Sequence, residues 1–176
     1  MLIGGDILIH IVLFEPEIPQ NTGNIIRTCV ATGGVLHVIK PLGFSLDEKH
    51  LRRAGLDYIA SSTIHIHENW NEFCSACNGE IFFVSRYGKK TPDEFNYGEI
   101  TEDIYFVFGK ESTGIPKSIM EKKLENQMRI PMLPETRSLN LSNCVAIVLY
   151  ECLRQKGYPQ LSKKEVLKGK DYIGNE

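Results

Sequence analysis

The sequence predicts an α/β protein with a mainly parallel sheet flanked by helices. Short, nearly continuous apolar runs recur along the chain, as in strands that are covered on both faces. Helical patterns separate these runs, and alternation of strand and helix is typical of parallel sheets. The 176 residues suffice for one domain with a substantial core, expected over 1–176 with a short extension at 1–6 and a charged tail at 161–176.

Six segments are predicted strands because of their apolar runs. The run at 7–14 (ILIHIVLF) is the strongest, and 63–67 is weaker because apolar and polar residues alternate there. The final run is short because Pro131 ends it. The predicted strands are 7–14, 35–39, 63–67, 81–84, 104–108 and 128–130.

Five segments carry helical patterns. The first ends at Gly33 and Gly34, a frequent C-terminal signal. Ser45 and Glu48 form a capping box at the start of the second, and a proline suits the first turn of the fourth. The predicted helices are 24–32, 45–54, 68–77, 116–123 and 141–156.

Composition limits the classes of partner. The net charge of -2 and pI of about 6.2 give no global basic signature, so an anionic partner must be met by local patches. No apolar run approaches the roughly 18 residues of a membrane span, and no export signal is visible. Five cysteines in such a chain indicate reduced thiols and a cytoplasmic protein without membrane partners.

Ligands of an open parallel sheet bind beyond the carboxyl ends of the strands. Four loops rich in Gly, Pro, Asn, Ser and Arg follow predicted strands, at 15–27, 85–88, 109–116 and 131–143, and they are expected to converge on one site. Common nucleotide motifs are missing, because Gly109 and Lys110 are followed by Glu111 and no G-x-G-x-x-G follows the first strand.

Metal and redox motifs are weak. Cys74 and Cys77 have C-x-x-C spacing without a second pair, and their helical pattern favours buried core thiols. His65 and His67 share one face of a predicted strand, but no third ligand lies nearby in the sequence. No metal site is therefore predicted.

Two segments leave alternatives open when taken alone. In 21–27, Asn21 or Thr22 caps a helix and Arg27 is solvated, or the segment serves a ligand. In 109–116, glycines allow a tight turn and close approach to a ligand, and Glu111 ties down loop amides. A turn that binds nothing explains the second pattern equally well.

Three motifs together resemble the SPOUT class of RNA methyltransferases, specifically the SpoU-type ribose methylases. They are NTGNIIR at 21–27, FGKESTGIP at 108–116, and IPM at 130–132 continuing to RSLNLSN at 137–143, in the family's order. The resemblance covers about 9–158. EPEIP at 15–19 and LRRAGLDY at 51–58 are similar to the small enzymes that methylate the ribose of the tRNA wobble nucleotide, cytidine or uridine 34.

The resemblance implies a C-terminal part threaded into a deep trefoil knot, whose loops bind S-adenosylmethionine. It implies that the cofactor contacts Val84, Gly109, Ile130 and Ser138, with apolar contact from Met132 and Leu139.

It also implies catalytic roles for Arg27, Arg137 and Tyr150. The proton role of Arg27 stays open, because a guanidinium, which remains protonated in proteins, orients a hydroxyl or phosphate more readily than it accepts a proton. The supporting motif residues are Asn21, Asn24, Glu111, Asn140 and Asn143.

Partners follow from the same resemblance: a tRNA anticodon stem-loop and a second copy of the chain, with the last helix in the interface. The apolar face of that helix fits such a homodimer, and burial inside the monomer explains it equally well. This face carries Val145, Val148, Leu149 and Cys152. The basic groups expected at RNA, or else simply solvated, are Arg52 with Arg53, Arg86 with Lys89 and Lys90, and the tail lysines.

Two other functions remain open at this point. One is a ribose methylase that acts on another tRNA or rRNA site, and the other is a non-catalytic RNA-binding dimer with the same fold.

Overall fold

The computed structural model describes residues 7–44 and 64–166. Six strands and four α-helices alternate along these segments, with short 3₁₀ turns at Pro92–Glu94, Tyr97–Glu99 and Glu121–Asn126. In chain order the elements are β1 Ile9–Phe14, α1 Pro19–Thr32, β2 Val35–Ile39, β3 Ile64–His67, α2 Trp70–Ala76, β4 Gly79–Val84, β5 Asp103–Gly109, α3 Lys117–Met120, β6 Gln127–Met128 and α4 Leu141–Gln155.

All six strands form one parallel sheet in the order β3-β2-β1-β5-β4-β6. The predicted fold class, a parallel α/β sheet flanked by helices, is confirmed. The central strands β1 and β5 pair in register from Ile9 with Ile104 to Phe14 with Gly109. The deep knot stays a prediction.

Both faces of the sheet are buried. Side chains of a strand alternate between the two faces, so successive residues of β1 belong to different core clusters. On β1, Ile11 and Leu13 pack in a core cluster with residues of α1 and α4. Val12 and Phe14 belong to a second cluster on the other face, which includes Phe73 of α2.

The apolar face of α4 lies inside the monomer. Val145, Val148, Leu149 and Cys152 are fully buried in the first core cluster. The interpretation of this stripe as a dimer surface is therefore wrong, and the alternative of monomer burial is correct.

The start of α1 differs from the prediction. The helix begins at Pro19, five residues before the predicted start at 24, because proline is pre-organised for the first helical position. Ile18 is the N-cap residue and makes no side-chain cap. Asn21 and Thr22 are buried within the helix, so the alternative in which one of them caps it is wrong. The predicted stop at Gly33 is correct, with φ of 71°.

Other boundaries shift by a few residues. The helix expected at 116–123 is only α3 followed by a 3₁₀ turn, since Lys123 leaves the helical region at φ -142° and ψ 64°. Strand β6 ends at Met128 rather than Ile130. The capping box at Ser45 and the LRRAGLDY segment with Arg52 and Arg53 lie outside the described residues, as do 1–6 and 167–176.

The prediction that the two cysteines at the end of α2 are buried core thiols is wrong. Cys74 is exposed and Cys77 is half-buried, because α2 is short and only Phe73 faces fully inward. Across the described ranges 7–44 and 64–166, no three His, Cys, Asp or Glu side chains are grouped to hold a metal ion. No helix in these ranges has the length and apolar character needed to cross a membrane.

Three histidines form a buried chain across the sheet. His10 Nδ1 lies 2.8 Å from His37 Nε2, and His37 Nδ1 lies 2.9 Å from His67 Nε2. His10 Nε2 is 3.5 Å from an Asp103 carboxylate oxygen, too far for a good hydrogen bond. Burial lowers the pKa of all three imidazoles, that of His37 to about 3.

Candidate functional site

A cavity of about 440 Å³ opens at the carboxyl end of the sheet. The loops that follow β1, β4, β5 and β6 all contribute to it, as parallel topology leads one to expect. The cavity is lined by Ile18, Asn21, 84–87, 108–115, Met120, Arg129, Ile130, Met132, 138–141 and Cys144.

The residues that sequence analysis assigned to a cofactor all line this cavity: Val84, Gly109, Ile130, Met132, Ser138 and Leu139. The predicted catalytic residues lie apart from its lining. Arg27 is exposed on α1, and Arg137 is exposed next to Ser138. Tyr150 is 47% exposed on α4 and lines a second, shallow groove with Pro131 and Ile147.

Gly109 brings the wall of the cavity against the neighbouring strand. Its φ is +103°, and a Cβ atom here would lie 2.5 Å from the carbonyl oxygen of Phe14. Only glycine combines this conformation with this closeness. Glycine at 109 therefore lets the loop after β5 begin in close contact with β1.

Glu111 ties the loop after β5 to the start of α1. Its carboxylate accepts hydrogen bonds from the backbone amides of Glu17 at 2.9 Å and Ile18 at 3.3 Å. It also accepts one from the side-chain amide of Asn21 at 3.1 Å. These donors surround a helix N-terminus, where backbone N–H groups lack helical partners and favour negative charge.

Side chains of the loop after β1 also bind the loop after β5. The Glu17 carboxylate accepts from the Ser112 backbone amide at 2.8 Å and from its hydroxyl at 2.7 Å, which lowers the pKa of Glu17. Glu15 forms an ion pair with Lys110, and their hydrogen bond raises the pKa of that lysine. The contacts made by Glu15, Glu17, Lys110, Glu111 and Ser112 are called the loop clasp below.

Asn140 joins the third motif to the other two. Its side-chain amide donates to the Asn21 side-chain oxygen at 2.9 Å. Its own side-chain oxygen accepts from the Ser142 amide at 2.9 Å, which caps α4 as expected for asparagine. Glu111, Asn21 and Asn140 thus form one hydrogen-bonded series, whereas Asn24 and Asn143 are exposed.

Sequence reasoning missed several residues of the site. Glu15, Glu17 and Lys110 had no assigned role, although EPEIP directly follows the first strand. Tyr87 lines the cavity and is 73% exposed. All four residues follow the end of a predicted strand closely, and this position was the available signal that they belong to the site.

The cavity fits S-adenosylmethionine in size and in chemistry. Its volume lies within the usual range for small-molecule sites, about 300–1,000 Å³. Ile130, Met132 and Leu139 offer apolar contact, and Ser85, Ser138 and Asn140 bring polar groups to the lining.

This parallel sheet, with a cavity built at its carboxyl end from the three motifs, has the architecture of the SPOUT class of methyltransferases. The model of the SpoU rRNA methylase family matches residues 8–150, and the chain belongs to that family.

Similar proteins cover nearly the whole chain. A protein of Saccharophagus degradans, named tRNA (cytidine(34)-2′-O)-methyltransferase, is 49% identical over 153 residues, which are 86% of this chain and 97% of that protein. A crystal structure from Bacillus anthracis is 48% identical, with a TM-score of 0.84, and the match covers 90% of this chain and 99% of that one. A structure described under "Structural insights into the 2-OH methylation of C/U34 on tRNA" is 39% identical, with a TM-score of 0.77, over 84% of this chain and 95% of that one.

Proposed function

We propose that this protein transfers a methyl group from S-adenosylmethionine to the ribose 2′-hydroxyl of nucleotide 34, cytidine or uridine, in tRNA. The observation that carries the proposal is the cavity at the carboxyl edge of the sheet, walled by segments of all three motifs. The family description names rRNA, but the relative that is 49% identical is named for tRNA nucleotide 34. The EPEIP segment, which forms half of the loop clasp, favours the same branch.

Different residues of the cavity are proposed to contact the cofactor and to exclude water from it. When bound, S-adenosylmethionine supplies an electrophilic methyl group on a sulfonium. Val84, Gly109, Ile130 and Ser138 would surround it, and the apolar side chains would exclude water. The loop clasp and Asn140 fix the positions of these walls, so that little ordering is needed on binding.

Arg27 is the proposed positioning group for the ribose. A 2′-hydroxyl is a poor nucleophile, so its alignment with the methyl group contributes much of the rate. A guanidinium stays charged and offers five N–H donors in a fixed plane, which suits a hydroxyl and its neighbouring phosphate. The first turn of α1 is tied to the cavity by the bond between Asn21 and Glu111, and Arg27 lies about two turns further along the same helix. Arg137, exposed beside Ser138, is proposed to bind RNA.

The protein is proposed to act as a homodimer through the outer face of α4, not through its buried stripe. Ile147 and Tyr150 are 44% and 47% exposed there, next to Pro131 of the third motif. Replacement of Ile147 by Asp should give a monomer in light scattering, since it places a charge in the apolar contact. A wild-type protein that is monomeric at micromolar concentration contradicts the dimer.

The proposed compartment is the cytoplasm. The five cysteines are all free, which suits a reducing environment.

A transfer assay tests the function. The protein is incubated with labelled S-adenosylmethionine and either total tRNA or, in a separate reaction, rRNA, and the modified nucleotide is mapped. Label is expected at nucleotide 34, and a synthetic anticodon stem-loop with a 2′-deoxy nucleotide 34 should accept none. Label at a different tRNA position or in rRNA supports the alternative site. No label in any RNA, with the protein folded, leaves only a non-catalytic RNA-binding role.

A further inference from the structure

We propose that Tyr87 is a stacking platform for an unpaired base at or next to the methylated nucleotide, an inference that rests on the proposed function. Tyr87 lines the rim of the cavity, yet its side chain is 73% exposed. Recognition of single-stranded RNA loops commonly uses bases stacked on aromatic rings. The aromatic ring thus stands where the base of a bound nucleotide would emerge from the cavity.

The backbone around Tyr87 is pinned on both sides. The Tyr87 amide donates to the Ser85 hydroxyl at 3.1 Å, and the Gly88 amide donates to the Ser85 carbonyl at 3.3 Å. Arg129 donates from its guanidinium to the Arg86 carbonyl at 2.8 Å. A fixed turn that carries a side chain with only two rotatable angles loses little entropy when a base stacks on it.

The charges around this ring suit RNA. Arg86, Lys89 and Lys90 are exposed within three residues of Tyr87. The acidic neighbours Asp93 and Glu94 are both engaged by Thr91, through its hydroxyl at 2.6 Å and its amide at 2.6 Å. Lys90 Nζ lies over the Phe95 ring, 5.0 Å from its centre, so Arg86 and Lys89 are the exposed cations that flank Tyr87 in this turn. Sites for single-stranded nucleic acid combine exposed aromatic rings with cations in this way.

A role of Tyr87 in covering the cofactor is less consistent with the structure. Phe108, Ile130, Met132 and Leu139 already supply apolar lining. Every base offers a π-face, so stacking would also hold cytidine and uridine about equally.

Binding of anticodon stem-loop RNA to Tyr87 variants tests the proposal by fluorescence anisotropy. Tyr87→Ala and Tyr87→Leu should weaken RNA affinity about 5- to 150-fold, while Tyr87→Phe stays near wild type. The affinity for S-adenosylmethionine, measured by calorimetry, should not change. Leu124→Ala is the matched control, because Leu124 is 68% exposed and does not line the cavity.

Abasic RNAs identify the contact. Stem-loops lacking the base at 33, 34 or 35 are compared one at a time, and in one of them the difference between wild type and Tyr87→Ala should disappear. A difference that persists in all three overturns stacking, as does an equal loss of cofactor affinity. Because binding is measured without turnover, Tyr87-dependent binding by a protein that methylates nothing would reject the proposed function and keep only the stacking contact between Tyr87 and an unpaired base.

Discussion

The side chains of Asn21 and Asn140 are joined by a 2.9 Å hydrogen bond across 119 positions of sequence. Asn21 is 4% exposed and bonds Glu111 with its other side-chain atom. The three sequence motifs are thus physically connected in this chain. Loss of Glu111 or Asn140 leaves one side-chain atom of the buried Asn21 without that partner.

The coupling between Asn21 and Asn140 is measurable. In a double-mutant cycle with alanine, followed by urea unfolding, we expect an interaction free energy of about 0.5–3 kcal/mol. Asn140→Ser separates two roles, because serine still caps α4 but is too short to bond Asn21. Additive effects of the two alanine substitutions would show that the contact contributes nothing.

Replacement of Arg27 by alanine should reduce turnover about 100-fold or more, because the ribose hydroxyl loses its alignment. Cofactor affinity should remain within about twofold of wild type. Arg27→Lys keeps the charge but loses the planar donor set, and it should also be slow. Lys122→Ala, another exposed cation, is the control. A parallel loss of cofactor binding and turnover would assign Arg27 a structural role instead.

Gly109→Ala should destabilise the protein by about 3 kcal/mol or more, since the new methyl group meets the Phe14 carbonyl at 2.5 Å. Gly114→Ala is the matched control. Gly114 also has a positive φ, +77°, but nothing lies within 4 Å of a Cβ there, so about 1 kcal/mol is expected. Urea unfolding compares them, and equal losses would mean that the close approach at Gly109 is unimportant.

The histidine chain predicts a stability that falls in acid. The pKa of each imidazole is lowered by folding from about 6.5, so above pH 6.5 both states are neutral and stability is complete. Below pH 6.5 the unfolded chain binds protons that the folded protein excludes, and stability decreases until His37 is protonated near pH 3.

Each excluded proton contributes a slope of about 1.4 kcal/mol per pH unit. Urea unfolding between pH 4 and 8 measures this slope. His37→Gln keeps a donor and an acceptor but does not titrate, so it should flatten the profile. A variant with the wild-type slope would exclude His37 as the source.

Local patterns predicted the elements well, and contacts between distant segments account for what was missed. The apolar run of β2 and the stop at Gly33 were correct because each depends on neighbouring residues alone. The start of α1 was wrong because Asn21 resembles a cap, whereas its partners, Glu111 and Asn140, lie far away in sequence.

In the candidate site, too, the features that were missed depend on contacts between distant segments. Motif order indicated the residues that line the cavity, but not the loop clasp, since no sequence pattern shows that Glu17 will accept hydrogen bonds from Ser112. The buried stripe of α4 also fitted two explanations, and only the packing of α4 on the sheet decided between them.

The strand order has a consequence for synthesis on the ribosome. Strands β1, β2 and β3 are neighbours, so each can join the sheet as it emerges. Strand β4 has only β5 and β6 as neighbours, and both are made later. Until β5 inserts beside β1, the apolar residues Phe82 and Phe83 of β4 have no sheet to join, which makes this interval of translation the one most prone to aggregation.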